Sequence, residues 1–453
     1  MSLTSADIVD LRAHVAGPVL TPQDEGFADE VASWIRTFEH TPDVAVGATS
    51  TADVVAAVKF ATAHGLPVRV QATGHGSHAA ITDGVFILTR RIDTVSIDPA
   101  QRLATIGAGV QWGAVVAAAA AHGLAPITGS SPVVGVVGFL LGGGVGPLVR
   151  SHGFGSDYVR EFELVNADGQ VVVANAQQHP ELFWALRGGK GGLGVVTQVT
   201  IALVELATLY GGSLMYDSPD IEAALRAWVE YTATADPRVS TSVAILRMPD
   251  LPFIPEPVRG RTLLSLRFAY PGDTARGEEL AAPLRAAAPI YIDGLSEMPA
   301  SQMARIHGDP TDPSPGWNAG RMLTHVDREF ATAFLEQVGV GAHGESDVPF
   351  VAVEIRQLGS AAARDVPGGS AVGGRTPEFT LSIIGTPNPA LFAQVIPSAA
   401  ASLIAGLEPW LADETTINFL GHYDPSGWPA ATLERLSAVQ REVDPTTVFV
   451  FAE

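Results

Sequence analysis

Two stretches of the chain combine residue types that can do chemistry. The first is Gln71-Ala72-Thr73-Gly74-His75-Gly76-Ser77-His78, directly after the β-rich Val68-Arg69-Val70. Its small residues let a backbone approach a ligand closely and leave N–H groups free to point at an anion. An imidazole held in such a loop lies against whatever the loop cradles. The second is Phe350-Val351-Ala352-Val353-Glu354-Ile355-Arg356-Gln357-Leu358. Its alternation puts Glu354 and Arg356 on one face of a strand, at period two. Opposite charges on so apolar a strand either pair with each other at a sheet edge or line a cavity.

Composition bounds what these residues can serve. At 453 residues the chain is long enough for two or three domains or one two-lobed enzyme. Nearly half of it is apolar, which provides for large cores. The net charge of −21 argues against nucleic acid or an anionic membrane surface as partner. There is no cysteine, so disulfides, zinc–thiolate sites, iron–sulfur clusters and cysteine nucleophiles are excluded, and no metal site is expected. Neither a secretory leader nor an apolar run of spanning length is visible, so the expectation is a cytoplasmic protein.

The elements around the two stretches follow from periodicity. Residues 1–41 read as a polar lead-in with a helix near Glu25–Phe38. Ser50 to Asp53 is an N-cap cluster, with Val54, Val55, Val58 and Ala61 at helical spacing and His64-Gly65 as the stop. Trp112 to Ala121 repeats that logic, and Val85–Thr89, Thr94–Ile97, Ala104–Ile106 and Val195–Ile201 read as strands. Beyond residue 205 the strands lengthen: Val239–Leu246, Thr262–Tyr270, Phe350–Leu358 and Phe379–Ile384. Helices are expected from Ser218 to about Thr234, Thr274 to Ala287, Pro389 to Leu407 and Ala430 to Glu442, with a strand at Thr416–Leu420 and a mobile loop at Gly359–Gly374. The fold class is α+β: a ligand-binding lobe over 1–205, a lobe over 206–410 with an antiparallel sheet covered by helices, and a segment over 411–453 that returns to the first lobe.

Three further glycine clusters lie in the first lobe. They are Gly107-Ala108-Gly109, the run from Gly129-Ser130-Ser131-Pro132 through Gly135 and Gly138 to Gly142-Gly143-Gly144, and Gly188-Gly189-Lys190-Gly191-Gly192-Leu193-Gly194-Val195-Val196. None fits a P-loop or the strand–helix dinucleotide fingerprint. One such pair alone would be a tight turn. Together with the Gly-His-Gly loop they suit a dinucleotide, which needs many backbone donors and little side-chain bulk.

With these motifs assembled, residues 42–205 resemble the FAD-binding (PCMH-type) lobe of the vanillyl-alcohol-oxidase-type flavoproteins, and within them the berberine-bridge-enzyme-like branch. The resemblance rests on Thr73-Gly74-His75, on Val134-Gly135 through Gly144, on Arg150-Ser151-His152-Gly153 with Asp157, on Pro180-Glu181-Leu182-Phe183-Trp184 through Gly194-Val195-Val196-Thr197, and on Val443-Asp444-Pro445 before Phe449. It implies FAD held by residues 72–78, Ser130, Ser131, Gly135, Gly138, Gly142, Gly143, Gly194, Val196 and Asn418. It also implies an 8α-histidyl bond to His75, with His78 as the competing site and an unlinked flavin as the remaining possibility. Many relatives add a cysteinyl bond where Ser131 stands here, so only a single link is open to this chain. His64, His122 and His152, each just before a glycine, read as structural. Lys190, where relatives differ, would face solvent or an FAD phosphate.

On the reacting side the resemblance departs. Sugar and alcohol oxidases of the family pair an acid on the second stretch with a tyrosine two places before an asparagine. Asn418 fits, but Thr416 stands at the tyrosine position and Arg356 stands for the acid. Glu354, His422, Tyr423 or Asp424 could replace the base. A neutral amine would need none, and Arg356 could instead hold a substrate carboxylate or enolate. Met303–Trp317, with Asp309 and Asp312, would cap the pocket or form a surface loop. The expected function is an FAD-dependent oxidase passing hydride from a small alcohol, amine or natural-product intermediate to flavin N5, with O2 as acceptor. The alternatives are a flavin dehydrogenase with another acceptor and a flavin-bearing scaffold for a non-redox cyclisation. Oligomeric state is not readable.

Overall fold

The computed structural model of the protein describes residues 3–252, 254–340, 348–421 and 427–450. The Ser50 cluster starts a helix as expected: Ser50 Oγ accepts the Asp53 N–H, the helix runs Thr51–His64, and Gly65 ends it at φ +64°. This helix is the crossover between strands Val44–Gly47 and Val68–Gln71. Both lie parallel to Val85–Leu88 in a four-stranded sheet whose other edge is Val19–Leu20. Parallel strands require such a crossover, and ligands gather at their carboxyl ends. The loop carrying His75 leaves the carboxyl end of the edge strand Val68–Gln71.

A second sheet is antiparallel throughout, in the order Val95–Asp98, Leu103–Gly107, Val195–Ala202, Val159–Val165, Val171–Asn175. The third is an antiparallel sheet of eight strands among the described residues. Its central run is Thr208–Asp217, Thr262–Tyr270, Ser240–Arg247, Phe350–Gln357, Phe379–Gly385, Asn318–Leu323. Alternation splits its two faces. Leu264, Leu266, Phe268, Val243, Ile245, Val353, Ile355, Leu381 and Ile383 join one core with helices Ile221–Thr232, Thr274–Arg285, Arg328–Val338 and Val395–Gly406. The opposite face carries Ser242, Ser265, Arg267, Glu354, Arg356, Thr380 and Ser382, and all of these are buried as well.

Three expectations are corrected. A helix forms at Ser5–His14 in the polar lead-in, fixed by a Thr4–Asp7 capping box. The helix expected over Glu25–Phe38 is only Phe27–Val31, because the N–H groups of Trp34 and Ile35 are taken by Thr73 O (2.8 Å) and Gly74 O (3.2 Å). The strand expected at Thr416–Leu420 is a turn, with the Phe419 N–H donating to Thr416 O. Gly359–Gly374 is irregular as expected, but its end packs down: the Ala371 N–H reaches the carbonyls of Trp184 and Arg187.

The C-terminal segment is tied back into the first lobe. Its helix Ala430–Val443 ends at Asp444, 1 % exposed, whose carboxylate accepts the N–H groups of Val448 (2.9 Å) and Phe449 (2.7 Å). Val448 O then accepts the Val68 N–H at 2.8 Å, on the strand that leads to His75. Replacing Asp444 with alanine strands two buried donors. The expected loss is about 2 kcal/mol or more, read from the urea midpoint. Among the described residues, no helix is long and apolar enough to cross a membrane, and no group of three or more His, Asp or Glu side chains could hold a metal ion.

Candidate functional site

The His75 loop is held from outside as well as by its own bonds, in which the Ser77 N–H donates to Gly74 O (3.3 Å) and the His75 N–H to Thr73 Oγ1 (3.4 Å). Besides the two backbone bonds from Trp34 and Ile35, the Trp34 ring lies 4.1 Å from the His75 ring, centroid to centroid. Behind the loop, Ser33 Oγ bonds to Gln71 Oε1 (2.5 Å) and to His40 Nε2 (2.7 Å). Gly74 stands at φ +69°, where a Cβ would lie 2.6 Å from Gln71 Oε1 and Ser33 Oγ, so only glycine fits. His75 Nδ1 is buried and makes no hydrogen bond. Burial lowers the His75 pKa to about 4, against an opposing pull from Asp309. The imidazole is therefore neutral at physiological pH, with one nitrogen unused. His78 already has a partner within the protein.

The second glycine run meets this loop. Gly135 packs where a Cβ would lie 3.5 Å from Ala72 Cβ and Thr73 Oγ1, while beside Gly138 nothing lies within 4 Å, and Gly76 sees only His78 Nε2 at 4.0 Å. Ser131 Oγ and Thr128 Oγ1 are buried without hydrogen-bond partners. Open backbone beside Gly76 and Gly138, together with the unpartnered buried polar atoms of His75, Ser131 and Thr128, fits a dinucleotide. Lys190, at φ +67°, donates its N–H to Leu141 O (2.8 Å) and sends Nζ to within 3.5 Å of Gly138 O, so it turns toward this cradle rather than away from it.

Other residues expected to bind the cofactor have packing roles on view. Gly194 sits at φ +131°, with Leu164 Cδ1 2.6 Å from where a Cβ would be. Val196 is buried in the lobe's core and pairs with Leu164. Asn418 acts on backbone: its Oδ1 accepts the Gly144 N–H (2.9 Å) and its Nδ2 donates to Phe139 O (3.3 Å). Gly142 lies against it, and Gly143 and Gly144 take φ values of +99° and +85°. Asn418 thus brackets the glycine turn. Ser130 Oγ donates to Asp309 Oδ2 at 2.5 Å. The segment after Met303 is no simple surface loop: Arg36 N donates to Ser314 O, and Thr37 exchanges bonds with Gly316. It ties the second lobe to the clamp on His75.

The reacting-side pair proves to be part of a larger cluster. Glu354 and Arg356 are joined at 2.8 Å, but on a central strand rather than an edge. Glu354 Oε1 also accepts from Ser242 (2.9 Å) and from Arg267, and His307 Nε2 stands 3.6 Å away. Cross-strand register brings these together: Arg356 pairs with Ser242 and Thr380, and Ser242 pairs with Arg267. Arg356 also lies over the Phe419 ring, 5.1 Å from its centroid, next to Asn418. Burial alone would raise the Glu354 pKa; Arg356, then Arg267 and His307, outweigh it and hold the carboxyl below its ordinary range. That suits an anchor for two cations and not a general base, which needs a pKa near the working pH. His307 is pushed well below its usual value by burial, then by Arg356 and Arg267, and is neutral. Thr416, fully buried, leaves its hydroxyl unpartnered. His422, Tyr423 and Asp424 lie outside the described residues.

Arg267, His307, Ser242 and Trp34 escaped the sequence reading. Arg267 had a signal, a lone charge in Leu-Leu-Ser-Leu-Arg-Phe at the same alternation as Glu354. Trp34 had none, since its role comes from contact with a loop distant in sequence.

Comparison with known proteins bears on the first lobe and on the fold. Residues 42–175 match the FAD binding domain family. (R)-6-Hydroxynicotine oxidase of Paenarthrobacter nicotinovorans is 39% identical over 195 residues, 42% of this chain and 42% of that protein. The chain thus spans well under half of that relative's length. Among solved structures, 6-hydroxy-D-nicotine oxidase from Arthrobacter nicotinovorans superposes with a TM-score of 0.82 at 23% identity, covering 96% of each chain. Physcomitrella patens BBE-like 1 superposes at 0.83 with 19% identity over 98% of each.

Proposed function

We propose, for a chain that carries an FAD-binding domain in the two-lobed fold of the vanillyl-alcohol-oxidase-type flavoproteins, an FAD-dependent oxidase with a single flavin bond to His75. FAD, when bound, accepts a hydride from substrate carbon and passes electrons on to O2. The observation that carries the linkage is the buried, unpartnered Nδ1 of His75 in an open glycine cradle. Ser131, at the position of a second tether in relatives, offers only a hydroxyl. Support for the activity comes from the oxidase relative that is 39% identical over 195 residues of the chain.

In this reading Gly76, Gly135 and Gly138 admit the cofactor, and Ser131 and Thr128 supply hydroxyls to it. Trp34 holds the imidazole in place, and Asn418 fixes the glycine turn. The buried polar face of the eight-stranded sheet supplies the substrate wall, with Glu354 fixing two guanidiniums there. No described side chain is a strong base at neutral pH in this wall. A substrate that releases hydride beside a neutral nitrogen therefore suits it better than a simple alcohol.

Acid precipitation of the purified protein tests the linkage: yellow colour should stay with the polypeptide. A panel of amines, alcohols and sugars, read by H2O2 formation and by anaerobic bleaching of the flavin band, tests the activity. Bleaching without H2O2 would make the protein a dehydrogenase. Product without bleaching would make it a scaffold. Reconstitution of unflavinylated protein adds a pH prediction. The neutral imidazole is the reactive form, and burial keeps His75 neutral down to about pH 4. The initial rate of covalent incorporation should therefore be undiminished at pH 6 and fall by half only near pH 4, whereas an ordinary imidazole would lose half its rate at about 6.5.

A further inference from the structure

The charge count on the substrate wall does not balance. Two guanidiniums, Arg267 and Arg356, face a single carboxylate, Glu354; among the described residues no other carboxylate pairs with either. The nearby imidazole of His307 is neutral. All four side chains are buried. Hydrogen-bonding capacity is also left over: Arg267 Nε, Arg356 Nε, both His307 nitrogens (one a donor, one an acceptor in the neutral ring) and Thr380 Oγ1 are buried and make no hydrogen bond. A buried uncompensated cation costs several kcal/mol, and a buried Arg–Glu–Arg triad gains nothing over apolar packing. Stability therefore does not explain the arrangement.

Between these groups lies a cavity of about 20 Å³, lined by Arg267, Arg356, His307, Ser242 and Thr241 on the sheet side and by Pro147 of the first lobe. It has room for one or two oxygen-sized atoms. Guanidinium forks recognise planar oxyanions in pairs. We propose that this cavity is an anion subsite, and that the substrate carries a carboxylate or enolate oxyanion that seats between Arg267 and Arg356. The substrate's charge then completes a two-cation, two-anion cluster at the interface between the lobes. Arg356 lies against Phe419, the neighbour of Asn418, so an anion held there places the rest of the molecule beside the segment that brackets the glycine turn. The inference rests on the reading of this face as the substrate wall.

The test uses holoprotein in a buffer free of small carboxylates. Benzoate and its neutral isostere benzamide are titrated, and both the flavin absorption band and the melting temperature are followed. Benzoate should perturb the band and raise the melting temperature, with benzamide at least tenfold weaker. Arg356→Met should erase that preference, and Arg356→Lys should keep part of it. Arg356→Met also leaves a balanced Arg267–Glu354 pair, so its ligand-free melting temperature should equal or exceed that of the unmodified protein. A merely structural Arg356 predicts a lower one. Equal binding of benzoate and benzamide, or a destabilised Arg356→Met protein, overturns the proposal. A colourless protein would overturn the flavin reading instead, and the melting curves would still report the anion subsite.

Discussion

Replacing His75 with alanine is expected to yield a protein whose yellow colour is washed away by acid, while His78→Ala keeps it on the polypeptide. The two histidines differ in surroundings, not in type. His75 presents a buried Nδ1 with no hydrogen-bond partner, its ring tilted against Trp34, whereas His78 is already engaged within the protein. Loss of the bond has two consequences. The cofactor becomes dilutable, and its electron affinity falls, because a bond at the flavin ring edge tunes its electronics. Turnover at saturating FAD should drop by about tenfold, or about 1.4 kcal/mol in activation free energy. Acid precipitation, peptide mapping of the yellow fragment and turnover with added FAD check this. Colour retained by His75→Ala protein would move the link elsewhere.

The largest loss of stability should come from Glu354→Gln. The carboxylate accepts from Ser242, Arg267 and Arg356 in a fully packed strand. The amide keeps the shape and removes the charge, so two guanidiniums remain buried with no anion between them. Removing one partner of a buried ion pair costs about 3–5 kcal/mol, and denaturant unfolding should show a loss of that size. Adding Arg267→Met to Glu354→Gln removes one stranded cation and should recover part of it, which a double-mutant cycle reads directly. The pH dependence has a definite sign. The folded Glu354 pKa is depressed, so its contribution is complete above the ordinary carboxylate range and is lost as pH falls through it and below. The Glu354→Gln protein should lack that part of the acid sensitivity.

Local rules went far along this chain because many of its elements are set locally. Ser50 and Gly65 mark the ends of one helix by cap chemistry, and alternation late in Phe350–Gln357 and through Leu264–Tyr270 announces two-faced strands. The strand before the His75 loop was legible because Val68-Arg69-Val70 is β-prone and the small residues after Gln71 cannot continue it. What escaped was set by distant partners. The helical pattern of Phe27–Val31 seemed to continue through Trp34 until Thr73 and Gly74 claimed its N–H groups. Thr416-Ile417-Asn418-Phe419-Leu420 has β-prone composition, yet Asn418 is captured by Gly144, and the close approach of Phe419 O to Gly320 leaves no room for a Cβ there. The pairing of Glu354 with Arg356 followed from period two, but Arg267 and Ser242 joined them only through strand register, which no single strand encodes.

The bond from the Val68 N–H to Val448 O joins residues separated by most of the chain, and Phe449 sits in the same core as Val44, Val46 and Val85. During synthesis the Val68 N–H, on the strand that launches the His75 loop, therefore gains this partner only after the whole second lobe has been made. Domains otherwise tend to complete themselves in order of emergence; here the first to appear is the last to be sealed. In the proposed reading, an FAD bond to His75 would then follow the pairing of Val68 with Val448.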